Sequence, residues 1–191
     1  MKRSIPFWQM AGFVFTGILG TFLHFLFDLT GGSPAAALVS AVNESIWEHM
    51  KLLFYPMAIF AIAEYFFWGK DHPGFWCAQL LGILLGLAII PVTYYTYTGI
   101  LGVSADWFNI TIFFLAAGAS YWLETKLLQR DFSCNCRLCL VLLLLPAVLF
   151  TVFTFLPPRI PFFKDPVTGT YGFFKKTPIL KTLCSDDWRL F

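Results

Sequence analysis

Long apolar runs alternate with short polar interruptions along this chain. Residues 7–27, 52–68, 75–92, 107–123 and 138–155 each approach the roughly 17 to 25 residues that a helix needs to cross a ~30 Å hydrocarbon core. The pattern predicts an all-α, polytopic membrane helix bundle of about five transmembrane helices with short connections. Thr30-Gly31-Gly32 stops the first run, and Ser33-Pro34 reads as an N-cap followed by proline at the first helical position. A helix is therefore expected near Pro34, as an interfacial or re-entrant lead-in that continues into the second span. Pro56 removes one backbone hydrogen bond inside that span and bends it. After residue 155, Pro157-Pro158 and Pro161 end the last apolar helix, and Asp165-Pro166-Val167-Thr168-Gly169 has turn composition. The chain thus divides into a helix bundle over 1–156 and an ordered extramembrane C-terminal tail over 157–191.

Composition supports a lipid environment. Apolar residues make up 58% of the 191 and charged residues only 13%, whereas soluble domains run at about half and a quarter. Trp8, Trp47, Trp68, Trp76 and Trp107 fall near predicted helix ends, where amphipathic rings settle at the membrane interface. Lys2 and Arg3 precede an apolar run that is longer than a signal core and ends in His24 and Asp28, so a retained first helix is expected. A net charge of +2, scattered along the chain, excludes a nucleic-acid partner.

The Lys and Arg distribution orients the bundle. With the N-terminus inside, Lys2, Arg3, Lys70, Lys126, Arg130 and Arg137 are cytoplasmic, and the outer loops hold only Lys51. The tail opposes this assignment, since Arg159, Lys164, Lys175, Lys176, Lys181 and Arg189 then lie outside. The early loops carry more weight, and a cytoplasmic membrane location with a cytoplasmic N-terminus is expected.

That topology gathers polar residues at one membrane face, the outer one. His24 and Asp28 share a face of the first helix; Glu44, Glu48, Lys51 and Tyr55 share a face of the second, with Ser45 and His49 beside them. Tyr94, Tyr95 and Tyr97 close the third span, and Asp106 and Asn109 open the fourth. Ionisable groups at membrane depth are costly, so they usually face the bundle interior and are paired. A polar pocket is expected there, with the tail over 157–172 as its cover. Glu64 and Glu124 lie towards the opposite end and are expected to be paired or interfacial.

Cys77, Cys134, Cys136, Cys139 and Cys184 are an odd set without the spacing of a disulfide framework. C-x-C-x-x-C over 134–139 has no visible fourth zinc ligand, so ordinary thiols at a helix start are expected. Two N-x-S/T triplets, at Asn43 and Asn109, fall in predicted membrane helix and are discounted as glycosylation sites.

The segment Asn43-Glu44-Ser45-Ile46-Trp47-Glu48-His49-Met50-Lys51 resembles the N-E-S-x-W-E-H-x-K signature of an uncharacterised family of small bacterial multi-pass membrane proteins. In that family a P-P-x-I-P-x-F-x-D-P-x-T-G-x-Y-G segment follows the last helix, and here Pro157 to Gly172 match it. The resemblance covers nearly the whole chain. It implies the architecture and a bacterial cytoplasmic membrane, and no chemistry.

Two functional classes compete. In the first, the protein is a membrane-embedded, metal-dependent hydrolase of a lipid or small amphiphile. His24, His49, Glu44 and Asp106 are then the candidate ligands of zinc or another divalent metal, with an open position for water. Glu44, Glu48 and His49 are the candidate acid–base groups, and Tyr94 or Tyr95 the stabiliser of a developing oxyanion. Asp28, Asn43, Ser45, Lys51, Tyr97, Asn109, Asp165 and Tyr171 are expected to line the pocket. In the second class the same carboxylates bind protons or cations in a transporter or ligand-binding subunit, alone as a homo-oligomer or with a membrane partner. A structural or assembly role in a membrane complex is the third possibility.

Overall fold

The computed structural model describes residues 5–130 and 134–173. Six α-helices follow one another: α1 (Ile5–Leu29), α2 (Pro34–Ala37), α3 (Ile46–Phe67), α4 (Phe75–Leu101), α5 (Asp106–Gln129) and α6 (Cys136–Phe155). Two 3-10 turns, Gly69–Asp71 and Pro161–Phe163, complete the set. Among the described residues there is no strand, only an isolated antiparallel bridge between Lys164 and Tyr171. Cys184 and the terminal charges Lys2, Arg3, Lys175, Lys176, Lys181 and Arg189 lie outside the described residues.

By length and composition, α1, α3, α4 and α6 can each cross a membrane. The span expected over 107–123 lies inside α5, which is long enough at about 1.5 Å per residue. Asn109, Ser120 and Glu124 leave it less apolar than the other four. It packs against α4 and α1 and so belongs to the same bundle. Phe7, Ile18 and Phe22 on α1, and Val141, Leu144 and Val148 on α6, point outward with half or more of their surface exposed. Water would not tolerate an apolar exterior of that extent, and lipid does. The helices define an all-α bundle with the character of a multi-pass membrane protein.

Successive helices run back and forth, so contacts divide into two ends. At one end Trp8 stacks on Phe67 with ring centroids 5.3 Å apart, and Trp68 meets Phe75 edge-on at 5.6 Å. At the other, Phe27 meets Phe173 at 5.8 Å and Tyr95 faces Phe162 at 6.4 Å. This second end carries the polar residues.

Close helix contact depends on small residues. On α4, Gly82 lies against Glu124 of α5 and Gly86 against Ser120 of α5 and Leu53 of α3. These two glycines, one turn apart, let the α4 and α5 backbones approach closely, as small residues do in membrane interfaces generally. Pro56, Pro91 and Pro146 sit inside α3, α4 and α6 without ending them.

The expected lead-in helix from Pro34 does not continue into α3. Only one turn forms, α2, and the chain leaves helix geometry until Ser45 caps a new start. Local polar groups explain the break. Ser40 Oγ donates to Ala36 O at 2.6 Å, Lys51 Nζ donates to Ala37 O at 2.9 Å, and Asn43 Oδ1 accepts from Ser45 N at 2.9 Å in an Asx turn. Each removes a backbone group from the helical ladder or gives it a side-chain partner, the competition that Ser and Asn impose on helices.

Candidate metal centre

The stretch 43–51 divides its residues between two jobs. The larger share locks the polar end of the bundle together. Ser45 Oγ accepts from Glu48 N at 3.4 Å and caps α3, and Asn43 Nδ2 donates to Gly172 O at 3.2 Å, clasping the tail. Trp47 inserts among Phe150, Phe153, Phe162 and Phe163, with centroids 4.7 to 5.8 Å away.

Glu48 and Lys51 are sealed from solvent. Lys51 Nζ lies 2.6 Å from Glu48 Oε2 and donates to Thr154 Oγ1 at 2.9 Å. Thr154 in turn donates to Glu48 Oε1 at 2.8 Å, and Val42 N donates to Glu48 Oε2 at 3.1 Å. Every Lys51 proton and both Glu48 oxygens are therefore engaged. Glu48, expected among the acid–base groups, and Lys51, expected to line a pocket, instead brace α3, α6 and the segment before α3.

Two further residues of the stretch, Glu44 and His49, meet His24 of α1 at the bundle surface. His49 Nε2 lies 3.3 Å from Glu44 Oε2, His24 Nε2 lies 3.9 Å from Glu44 Oε1, and the imidazole centroids are 5.4 Å apart. The three side chains are between 29% and 48% exposed, open enough for an ion or substrate to reach. His49 Nδ1 lies 3.0 Å from Ser45 O. A carbonyl only accepts, so Nδ1 carries a proton and donates it, which orients Nε2 towards Glu44. The hydrogen bond from His49 holds the Glu44 carboxyl below its ordinary value, opposed by burial and aided by the charges of His49 and His24.

The donor set fits a divalent transition metal. Ligands held ~2.0 to 2.2 Å from a tetrahedral ion stand about 3.3 Å from one another; here one ligand atom from each of the three residues lies within 4.8 Å of the others, and the two imidazoles approach different Glu44 oxygens at 3.3 and 3.9 Å. Two imidazoles and a carboxylate leave at least one position free, as catalytic sites require. A backbone carbonyl holding the second nitrogen of His49 is the usual outer support of a metal-bound histidine.

Asp106, the fourth expected ligand, is exposed at the start of α5 and is not among the three residues whose ligand atoms converge. Asp28 is exposed one turn from His24 and close enough to exert a charge on it. Tyr97 OH donates to Asn109 Oδ1 at 2.5 Å and accepts from Ala105 N at 3.3 Å, tying the α4–α5 connection together. Tyr94 packs edge-on to Tyr95 and Tyr97, and Tyr95 faces Phe162 of the tail. Asp165 folds its own turn, accepting from Val167 N at 2.8 Å and Thr168 Oγ1 at 2.6 Å, while Tyr171 pairs with Lys164 across the tail bridge. None of these tyrosines, nor Asn109 or Asp165, has a hydrogen bond to the histidine cluster.

Two other clusters lie at the opposite end. The sulfurs of Cys77, Cys134 and Cys139 converge on one point, with Cys139 Sγ 2.7 Å from Cys77 Sγ and 3.6 Å from Cys134 Sγ. The sequence predicts ordinary thiols at a helix start for this run; in the structure the starts of α4 and α6 are neighbours, with the Cys77 and Cys134 Cα atoms 6.5 Å apart. Glu64 and Glu124, expected to be paired or interfacial, are both fully buried, and only Glu64 has hydrogen-bond partners.

Fold and polar residues together define a helical bundle of multi-pass membrane character with a histidine–carboxylate cluster at one end. The sequence model of a family of unknown function, DUF6512, matches residues 2–173, and the chain belongs to that family. No curated protein and no solved structure matches it.

Proposed function

We propose that the protein is a metal-dependent hydrolase of a lipid or small amphiphile, working at the membrane surface through His24, His49 and Glu44. The observation that carries this reading is the convergence of two imidazole nitrogens and a carboxylate from α1, α3 and the segment before α3 onto one partly exposed point. A bound divalent metal there would polarise a substrate carbonyl and activate water. Within the chain, Glu44 and the two Nε2 atoms hold the ion, and Ser45 O fixes the His49 ring. Asp28, exposed one turn from His24, is the candidate general base beside the ligands. The exposed apolar flank of α1, including Phe22 and Phe25 beside His24, suits an acyl chain lying in the outer leaflet.

The same reading places the protein in a bacterial cytoplasmic membrane with the cluster on the outer face. Lys51 is the only cation of the predicted outer loops, and it is neutralised by Glu48. Free positive charge in the loops is thus confined to the opposite side, which supports a cytoplasmic N-terminus.

Elemental analysis of protein purified without chelator tests the assignment, beside His24→Ala, His49→Ala and Glu44→Gln variants and with a micellar short-chain acyl ester as substrate. About one transition-metal ion per chain is expected, with metal and esterase activity both reduced at least tenfold in each variant. A metal-free wild type that takes up no added zinc would overturn it, as would metal content unchanged in all three variants.

A further inference from the structure

A second polar cluster sits at the other end of the bundle, inside it. Glu64 of α3 and Glu124 of α5 are both 0% exposed. Glu64 accepts from Gln9 Nε2 of α1 through Oε1 at 3.0 Å and from Gln79 Nε2 of α4 through Oε2 at 3.0 Å. Among the described residues, neither oxygen of Glu124 has a hydrogen-bond partner, nor does Gln9 Oε1, whose side chain is 3% exposed. The two carboxyls are close enough to repel when charged, and Tyr121, which hydrogen-bonds Thr16 at 2.8 Å, faces both. Among the described residues no Lys, Arg or His pairs with either carboxyl.

Four elements thus supply a buried, net-acidic cluster with no countercation among the described residues. An unpaired carboxylate in such a place costs several kcal/mol, and two neighbouring carboxylates rarely ionise together. The glutamine amides favour charge on Glu64, because each gives it a donor. Glu124 has none among the described residues, and Gly82 of α4 lies so close that a Cβ there would overlap its carboxyl. An undissociated acid suits that position, with the free Gln9 Oε1 as the unused acceptor in the cluster.

We propose that Glu64 and Glu124 form a proton-binding carboxyl pair within the membrane bundle, sharing one exchangeable proton that resides on Glu124. Removing that proton leaves two like charges between α3, α4 and α5. The α4–α5 seam at Gly82 is where the repulsion is relieved, so proton release is linked to loosening of that seam. The proposal is independent of the histidine cluster at the other end.

Infrared spectroscopy of the full chain in lipid vesicles reads the proton directly. The sequence has four glutamates, Glu44, Glu48, Glu64 and Glu124, so carboxyl-13C labelling of glutamate isolates them from every aspartate. Glu44 is open to solvent and Glu48 is ion-paired. A protonated glutamic acid carbonyl stretch at neutral pH is therefore expected from the buried pair. It should shift with the label, vanish as pH is raised, and be lost in Glu124→Gln. The Glu64→Gln protein should lose its protonated band at lower pH than wild type, since the repelling charge that helps keep the proton on Glu124 is gone. Absence of a label-sensitive band in wild type overturns the proposal without needing any variant. A band abolished at constant pH by added sodium makes this a metal-cation site and overturns the proton assignment.

Discussion

Lys51 Nζ and Glu48 Oε2 stand 2.6 Å apart, one turn from each other on α3, and neither side chain reaches solvent. Thr154 of α6 bridges them, and the lysine also reaches back to Ala37 O. A pair of this kind is not a large net source of stability, because two ions have lost their water. Breaking it is another matter. Lys51→Met strands a buried carboxylate and is expected to cost about 3 to 5 kcal/mol. The double variant Glu48→Gln/Lys51→Met, which removes both charges, should recover much of that. Thermal unfolding in detergent measures both. A single variant as stable as wild type would show that the pair is hydrated in solution.

The tail is held by one backbone position. Gly172 has a φ of +59°, and a Cβ there would fall 2.5 Å from Thr154 O and 2.7 Å from Pro157 Cγ. Left-handed backbone alone costs a non-glycine residue about 1 to 2 kcal/mol, and the collision adds to it. Gly172→Ala should therefore undock 157–173, losing the bonds from Asn43 Nδ2 to Gly172 O and from Phe173 N to Thr154 O. Protease cleavage near Thr168 should rise by an order of magnitude or more while the helices stay intact. Equal cleavage of the two proteins would mean that the tail is already open.

The α4–α5 seam offers a third test. A Cβ on Gly82 would overlap the Glu124 side chain, and overpacking of this sort typically costs about 1 to 3 kcal/mol. Gly82→Ala should lower thermal stability, whereas Gly99→Ala, with nothing near its Cβ, should not. Equal effects would place Glu124 elsewhere.

Much of this was legible in the sequence, and the reason is lipid. Apolar runs bounded by glycine, proline and tryptophan locate α1 and α6 closely, because a bilayer sets their length, whereas α3 begins before and α4 ends beyond the runs, in their polar ends. His24 came to the same face as Glu44 and His49 through topology alone, by counting crossings. What spacing could not reveal was partner choice. Glu44 and Glu48 share a helical periodicity, but Glu44 lies before Ser45 in non-helical chain, so one faces His24 and the other Lys51. Nor could it show that Gln9 and Gln79, isolated amides in apolar runs, converge on Glu64. Their positions were the available signal, since an amide at membrane depth needs a partner.

Acid is expected to weaken the histidine–carboxylate cluster in a defined direction. The hydrogen bond from His49, with the charges of both histidines, holds the Glu44 carboxyl below its ordinary value against the opposing effect of burial. A carboxyl depressed on folding adds stability that is fully present above its unfolded value and is lost as pH falls through its lower folded value. Solvent screening limits the size of the effect, because the Glu44 side chain is 48% exposed. The stability difference between wild type and Glu44→Gln, measured with chelator present so that no metal contributes, should be flat above the ordinary carboxylate range. It should shrink below that range, as wild-type Glu44 takes up the proton that makes it resemble glutamine. High salt should reduce the difference at every pH. A difference that grows on acidification reverses the sign and would mean that Glu44 is protonated in the folded protein, where it could neither pair with His49 nor hold a metal with it.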